Sequence, residues 1–186
     1  MIYLIRHGMT SANEKRLYCG SSDIALTENG REALKRKREK GGYPDAAARL
    51  IISSGMRRCN ETSMLLFGRA PDQIAKELRE INFGEFELHS YAELCADAAY
   101  QKWITDESGD VAPPEGESSN AFKARVISAI QAVPDEAIVV CHGGVIAGLM
   151  AHWFPGEGKH MYAWQPDFGE GYAVNLQRKA YTRIPE

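Results

Sequence analysis

Short, unbroken apolar runs punctuate the chain at Ile2-Tyr3-Leu4-Ile5, Leu50-Ile51-Ile52 and Ala137-Ile138-Val139-Val140. Continuous rather than alternating hydrophobicity marks strands buried on both faces, as in a parallel sheet covered by helices. A closing strand is predicted to use Tyr172, Val174 and Leu176. Between these runs the spacing turns helical. Phe122, Val126, Ile127, Ile130 and Val133 share one face of a helix predicted over 118 to 133, with Ser118 as its N-cap. A second helix is predicted from Met56 to Phe67 and a third from Gly144. The second carries Arg57 and Arg58 in its first turn, where positive charge opposes the helix dipole, so those arginines need another explanation. Strands alternating with helices predict a three-layer α/β/α fold with a mainly parallel central sheet, read here as a single domain over 1–186. The segment at about 85–116 breaks the pattern. It holds Tyr91, Tyr100 and Trp103, ends in Val111-Ala112-Pro113-Pro114, and reads as an insertion or cap that could serve as a lid.

Composition narrows the field. The 186 residues carry 22 Lys+Arg against 25 Asp+Glu, a formal charge of -3, so no overall basic field attracts nucleic acid or an anionic membrane. The basic stretch Arg31 to Lys40 is read as the solvated face of a surface helix that lacks an apolar face. Four scattered cysteines, Cys19, Cys59, Cys95 and Cys141, form no C-x-x-C pair, and no secretory leader is evident; reduced thiols in a cytoplasmic protein are expected. No apolar stretch approaches the roughly 20 residues that span a bilayer.

Three polar clusters follow three of the predicted strands: Arg6-His7-Gly8, then Ser53 through Thr62, then His142-Gly143-Gly144. Parallel strands bring such clusters together in the crevice beyond their carboxyl ends. Arg6 and Arg58 supply planar forks of donors, the glycines allow close backbone approach, and a helix N-terminus follows Gly143-Gly144, a combination suited to phosphate. Histidines among arginines stay neutral and keep a ring nitrogen available as a nucleophile. A carboxylic acid near the phosphate could protonate a leaving alkoxide, and Glu80 is the best-placed candidate. The residue types alone do not choose between His7 and His142 as nucleophile.

Leu4-Ile5-Arg6-His7-Gly8-Met9-Thr10, with Asn13, Gly20, Asp23, Leu26-Thr27 and Gly30, resembles the opening signature of the histidine phosphatase superfamily, the phosphoglycerate-mutase-like proteins. Ser53-Ser54 with Arg58 and Thr62, Leu78-Arg79-Glu80 with Phe83-Gly84-Glu85, Pro113-Pro114 with Gly116-Glu117-Ser118, and Val140 to Ile146 follow in the family's order. The resemblance covers residues 2 to about 150. It implies that His7 is the nucleophile that becomes phosphorylated, that Arg6, Arg58 and His142 bind the phosphoryl group, and that Glu80 is the proton donor. It further implies phosphate contacts from Asn13 and Gly143, with Thr10 supporting the loop. Tyr18-Cys19-Gly20 with Asp23 and Leu26-Thr27 resembles the α-ribazole phosphatase branch. The chain departs from the family pattern at Met9, where relatives often carry Glu or Gln, at Leu17, where many have Arg, and at Phe86-Glu87-Leu88, where the phosphatase branch often reads Trp-Glu-Gly.

The leading expectation is therefore a metal-independent phosphatase, without cofactor, acting on a small phosphorylated metabolite. One alternative returns the phosphoryl group to a second hydroxyl, as a phosphoglycerate-type mutase; the shortness of the chain argues against it. A metal-dependent hydrolase using His7 and His142 with Asp23 or Glu80 is disfavoured by the neighbouring arginines, which would repel a cation, and by the lack of H-x-x-x-H or H-x-H spacing. A non-catalytic phosphoester-binding protein would be expected to have lost part of the core set, which is complete here. Asp23 is otherwise a turn residue.

Overall fold

The computed structural model describes residues 1–185. Six strands pair into one sheet: β1 (Ile2–Arg6), β2 (Ile51–Ser53), β3 (Gln73–Ile74), β4 (Ile138–Cys141), β5 (Gly171–Asn175) and β6 (Ala180–Ile184). Their order is β3-β2-β4-β1-β5-β6. The β3/β2, β2/β4 and β4/β1 pairs are parallel, and β1/β5 and β5/β6 are antiparallel. The sheet is thus mixed but mostly parallel, as the apolar runs predict. The closing strand ends at Asn175, one residue before Leu176, which is exposed.

The period of two along each central strand sends alternate side chains to opposite layers. Leu4, Val139 and Cys141 join one core with Phe122, Val126 and Ile130 of α6 (Ser119–Ile130) and Val145, Ile146, Leu149 and Met150 of α7 (Gly143–Trp153). Tyr3, Ile5, Ile138 and Val140 join the other with Leu34 of α2 (Glu28–Lys40) and Cys59 and Leu66 of α3 (Arg57–Phe67). Two helical layers therefore enclose the sheet, and a one-turn helix, α1 (Ser11–Glu14), follows β1. Ser118 caps α6 by accepting from the Ala121 N–H, but the helix ends at Ile130, short of Val133.

The basic stretch belongs to α2, which begins earlier than Arg31, at Glu28 behind the N-cap Thr27. Leu34 is the one large apolar side chain that it buries. Ion pairs replace an apolar face: Arg31 reaches Glu61 of α3, and Lys37 reaches Glu170 just before β5.

Residues 85–116 contain two short helices, α4 (Tyr91–Leu94) and α5 (Ala98–Ile104). Phe86, Leu94 and Tyr100 form a small core of their own, against which Tyr18, Phe83 and Trp103 pack. Tyr100 is fully buried and Tyr91 is exposed, so the aromatic residues of the insertion divide between packing and surface. Among the described residues no helix is long and apolar enough to cross a membrane.

Candidate active site

The register of the sheet brings the three polar clusters to one edge. Arg6 pairs with Cys141 across β1/β4, the His7 N–H donates to the Cys141 carbonyl, and the Ser54 N–H donates to the Val140 carbonyl. His7 and His142 therefore leave neighbouring strands at the same level, with ring centroids 5.2 Å apart in an edge-on arrangement. His7 Nδ1 lies 2.7 Å from the Gly8 carbonyl oxygen. A carbonyl only accepts, so Nδ1 carries the proton and the neutral ring keeps its lone pair on Nε2. Burial, and then the charges of Arg58 and Arg6, hold His7 well below the ordinary histidine range despite the opposing hydrogen bond to Gly8. His142 is held low by burial, then by Arg58 and His7. Its Nε2 meets Ser54 Oγ at 2.9 Å, while its Nδ1 is buried without a protein partner.

Arg58 sits one residue into α3 and is 1% exposed. Its Nη1 donates to the Ser22 carbonyl at 2.8 Å and its Nη2 to the Gly20 carbonyl at 2.7 Å, while Nε has no protein partner. Among the described residues it forms no ion pair, so its charge is directed but not neutralised. Arg57, by contrast, points outward to Glu61. Asp23 accepts from the Arg57 N–H at 2.6 Å and so caps α3, whose N-cap residue, Met56, makes no side-chain cap bond. Arg6 donates to the Pro166 carbonyl at 2.8 Å and lies over the Phe168 ring at 4.0 Å from its centroid, again leaving Nε without a protein partner. Buried polar atoms without partners are uncommon in folded proteins. Three of the five such nitrogens among the described residues belong to Arg6, Arg58 and His142.

Glu80 faces this cluster. Its carboxylate accepts from the Gly144 N–H at 2.8 Å and the Ile81 N–H at 3.0 Å. A side chain at Gly144 would collide with it, since a Cβ there would lie 2.4 Å from Oε1. Burial raises the Glu80 pKa, against the pull of both N–H groups and of Arg58 and Arg6. The N-terminus of α7 is thus shared with a carboxylate. Gly8 differs from expectation as well, because its N–H donates to Thr62 Oγ1 at 2.9 Å and a Cβ there would lie 2.7 Å from Leu34 Cδ1.

A cavity of about 430 Å³ opens over these groups, and Arg6, His7, Asn13, Glu80, Gly143 and Gly144 line it. Arg58 and His142 lie behind its lining, at 1% and 0% exposure. The Asn13 carbonyl oxygen is engaged by the N–H and hydroxyl of Thr10, leaving its amide N–H₂ for the cavity. Outward, the walls include Leu17, Tyr18, Phe83, Trp103, Met161 and Tyr162, with Asp106, Ser119, Lys123 and Gln165 among the polar members.

The family model for the histidine phosphatase superfamily, branch 1, matches residues 2–182. The chain belongs to the histidine phosphatase superfamily. Among its relatives, the adenosylcobalamin/alpha-ribazole phosphatase of Salmonella typhimurium is 34% identical over 81% of this chain and 77% of its own length. The Escherichia coli protein of the same name is 29% identical over 97% and 92%. A solved Escherichia coli structure titled as an alpha-ribazole-5'-P phosphatase superposes with a TM-score of 0.83 at 29% identity, over 98% of this chain and 93% of that one. A phosphoglycerate mutase structure from Thermus thermophilus gives 0.78 at 28% identity, over 98% and 96%. As a histidine phosphatase superfamily member with phosphatase relatives, the chain is an enzyme that hydrolyses phosphate esters.

Against this superfamily background, the structure gathers Arg6, His7, Asn13, Glu80 and Gly143 around the cavity and sets Arg58 and His142 behind them. Sequence reasoning missed Ser54 as a partner of His142, Pro166 and Phe168 as supports of Arg6, and Met161, Tyr162 and Gln165 as cavity wall. The segment 161–168 offered no local signal, because its role depends on where the chain passes before β5. Of the departures from the family pattern, Leu17 stands in the cavity wall and Met9 does not line the cavity.

Proposed function

We propose that this enzyme hydrolyses a small phosphomonoester through a phosphohistidine on His7. The observation that carries the proposal is the hydrogen bond from His7 Nδ1 to the Gly8 carbonyl, which leaves the Nε2 lone pair for the cavity that His7 lines. His142 lies deeper and off the lining, which favours His7 as the attacking group. Nε2 attacks phosphorus as the ester P–O bond breaks, and Glu80, whose pKa burial raises, is assigned to give a proton to the departing oxygen. Water then attacks the phosphohistidine, the Glu80 carboxylate takes a proton from it, and inorganic phosphate leaves with His7 restored. Arg6, Arg58, His142, Asn13 and Gly143 are assigned to the non-bridging oxygens, where positioned donors contribute most to phosphoryl transfer.

The substrate we propose first is α-ribazole 5′-phosphate, after the names of the Escherichia coli and Salmonella typhimurium relatives. Tyr18, Phe83, Trp103 and Tyr162 offer flat apolar surface to a ring system beyond the phosphate. A cytoplasmic location is proposed with it, in keeping with four free cysteines. No nucleic-acid or membrane partner is proposed.

Hydrolysis of an aryl phosphate with excess chelator, compared between wild type and His7→Ala, tests the mechanism. Chelator-resistant turnover that falls by more than about 10³-fold in the variant is expected. Turnover abolished by chelator, or undiminished in His7→Ala, would overturn it. Assay of α-ribazole 5′-phosphate against phosphoserine and phosphoglycerates then tests the substrate, and appearance of an isomerised phosphoglycerate would favour a mutase.

A further inference from the structure

The loop that aims Arg58 is held from its other side by one carboxylate. Glu87 Oε1 accepts from the N–H groups of Gly20 (2.9 Å), Ser21 (2.8 Å) and Phe83 (3.1 Å). Its Oε2 accepts from Gly20 (3.1 Å) and Ser22 (3.2 Å). Successive N–H groups that converge in this way form an anion cradle, and here the anion is the protein's own side chain. Among the described residues Glu87 forms no ion pair, so backbone dipoles alone answer its charge. The cradle is tightly placed: a Cβ at Gly20 would lie 1.6 Å from the Ile81 carbonyl oxygen, so only glycine fits.

The mechanical link to Arg58 is a single peptide group. The Gly20 carbonyl and the Ser21 N–H belong to one planar trans unit and point in opposite directions. The N–H end is fixed by Glu87 and the carbonyl end receives Arg58 Nη2 at 2.7 Å. The Ser22 carbonyl, which holds Nη1, lies at the far end of the same cradle. A rotation of the Gly20–Ser21 plane that frees one contact frees the other.

We propose that Glu87 is a positioning residue of the phosphate site, fixing through residues 20–22 the carbonyls that orient the Arg58 guanidinium. The inference rests on the reading that Arg58 binds the transferred phosphoryl group. It also accounts for a carboxylate in the segment Phe86-Glu87-Leu88 that neither lines the cavity nor meets a cation.

A double-mutant cycle over Glu87→Ala and Arg58→Ala decides the matter, read as kcat/KM for an aryl phosphate and as calorimetric affinity for inorganic phosphate. Misplacing a binding group by about 1 Å can cost on the order of 10²-fold. Glu87→Ala is expected to lower kcat/KM and phosphate affinity together by about that factor. In the Arg58→Ala background the same change should cost less than about twofold, because the group it positions is gone. Acetate, which fits the emptied cradle, should restore part of the activity of Glu87→Ala and none of the double variant. Additive losses, or wild-type phosphate affinity in a folded Glu87→Ala protein, would overturn the proposal. If Glu87→Ala does not fold, Glu87→Gln, which keeps one acceptor oxygen, enters the same cycle. Should the wild type bind phosphate without hydrolysing any ester, the proposed reaction fails while the affinity cycle still decides the role of Glu87.

Discussion

In the proposed mechanism His7 and Glu80 have opposite electrostatic needs, and burial serves both. Removing water disfavours the charged form of either group, so burial lowers the pKa of His7 and raises that of Glu80. In the proposed mechanism the pair is correctly charged where the pH lies above the lowered His7 pKa and below the raised Glu80 pKa. The acidic limb of kcat/KM should follow protonation of His7, displaced below pH ~6.5, and the basic limb ionisation of Glu80, displaced above pH ~4.5. Glu80→Gln is expected to remove the basic limb. It should also lower hydrolysis of alkyl phosphates by roughly 10²- to 10⁴-fold while harming formation of the phosphoenzyme from nitrophenyl phosphate far less. A poor leaving group needs the proton and nitrophenolate does not. Equal losses on both ester classes in single-turnover assays would remove Glu80 from the acid role.

At the scale of elements, α3 shows why part of the site was legible and part was not. Its first turn carries two arginines against the dipole, and the structure resolves the anomaly: Arg57 pairs with Glu61 outside, and Arg58 is drawn inward by the Gly20 and Ser22 carbonyls. The sequence could mark Arg58 as a candidate phosphate ligand through the order of motifs around it, and the strand-end clusters through the apolar runs before them. It could not reveal Asp23 as the cap of that helix, nor Glu87 as the anchor of its loop, because both act across long sequence separations onto backbone N–H groups that leave no pattern. β3 and β6 were hidden for a different reason: β3 is two residues long and exposed, and β6 is mostly exposed, so neither carries a buried period. The long-range cap predicts that Asp23→Ala lowers stability by about 1 kcal/mol and that Asp23→Asn, which keeps an acceptor, restores most of it. Urea midpoints at constant m-value measure this, and an unchanged midpoint in Asp23→Ala would show that the N–H finds water at no cost.

Across the whole molecule, the fold stores electropositive groups where they are least stable alone, and its pH response should report that. Both His7 and His142 have folded-state pKa values well below 6.5, so between those values and 6.5 the unfolded chain binds more protons than the folded one. Stability from these groups is full above pH ~6.5 and is lost as pH falls from there toward the depressed folded values. Glu80 works in the opposite sense: its raised pKa gives stability that is full below pH ~4.5 and lost as pH rises through the folded value. With two histidines against one carboxyl, stability should decline from pH 6.5 to 5, with a slope approaching ~1.4 kcal/mol per pH unit for each proton of difference. His7→Asn should flatten that decline by removing one of the two groups. Saturating inorganic phosphate should flatten it too, and for a distinct reason. The bound anion raises the folded pKa of both histidines toward 6.5, closing their gap, and raises that of Glu80 further, widening the opposing one. Both changes reduce the net slope while stabilising the fold through binding. Urea denaturation at pH 5, 6 and 7 with and without phosphate separates the cases. A slope unmoved by phosphate, in a protein that phosphate stabilises, would place the bound anion away from the two histidines.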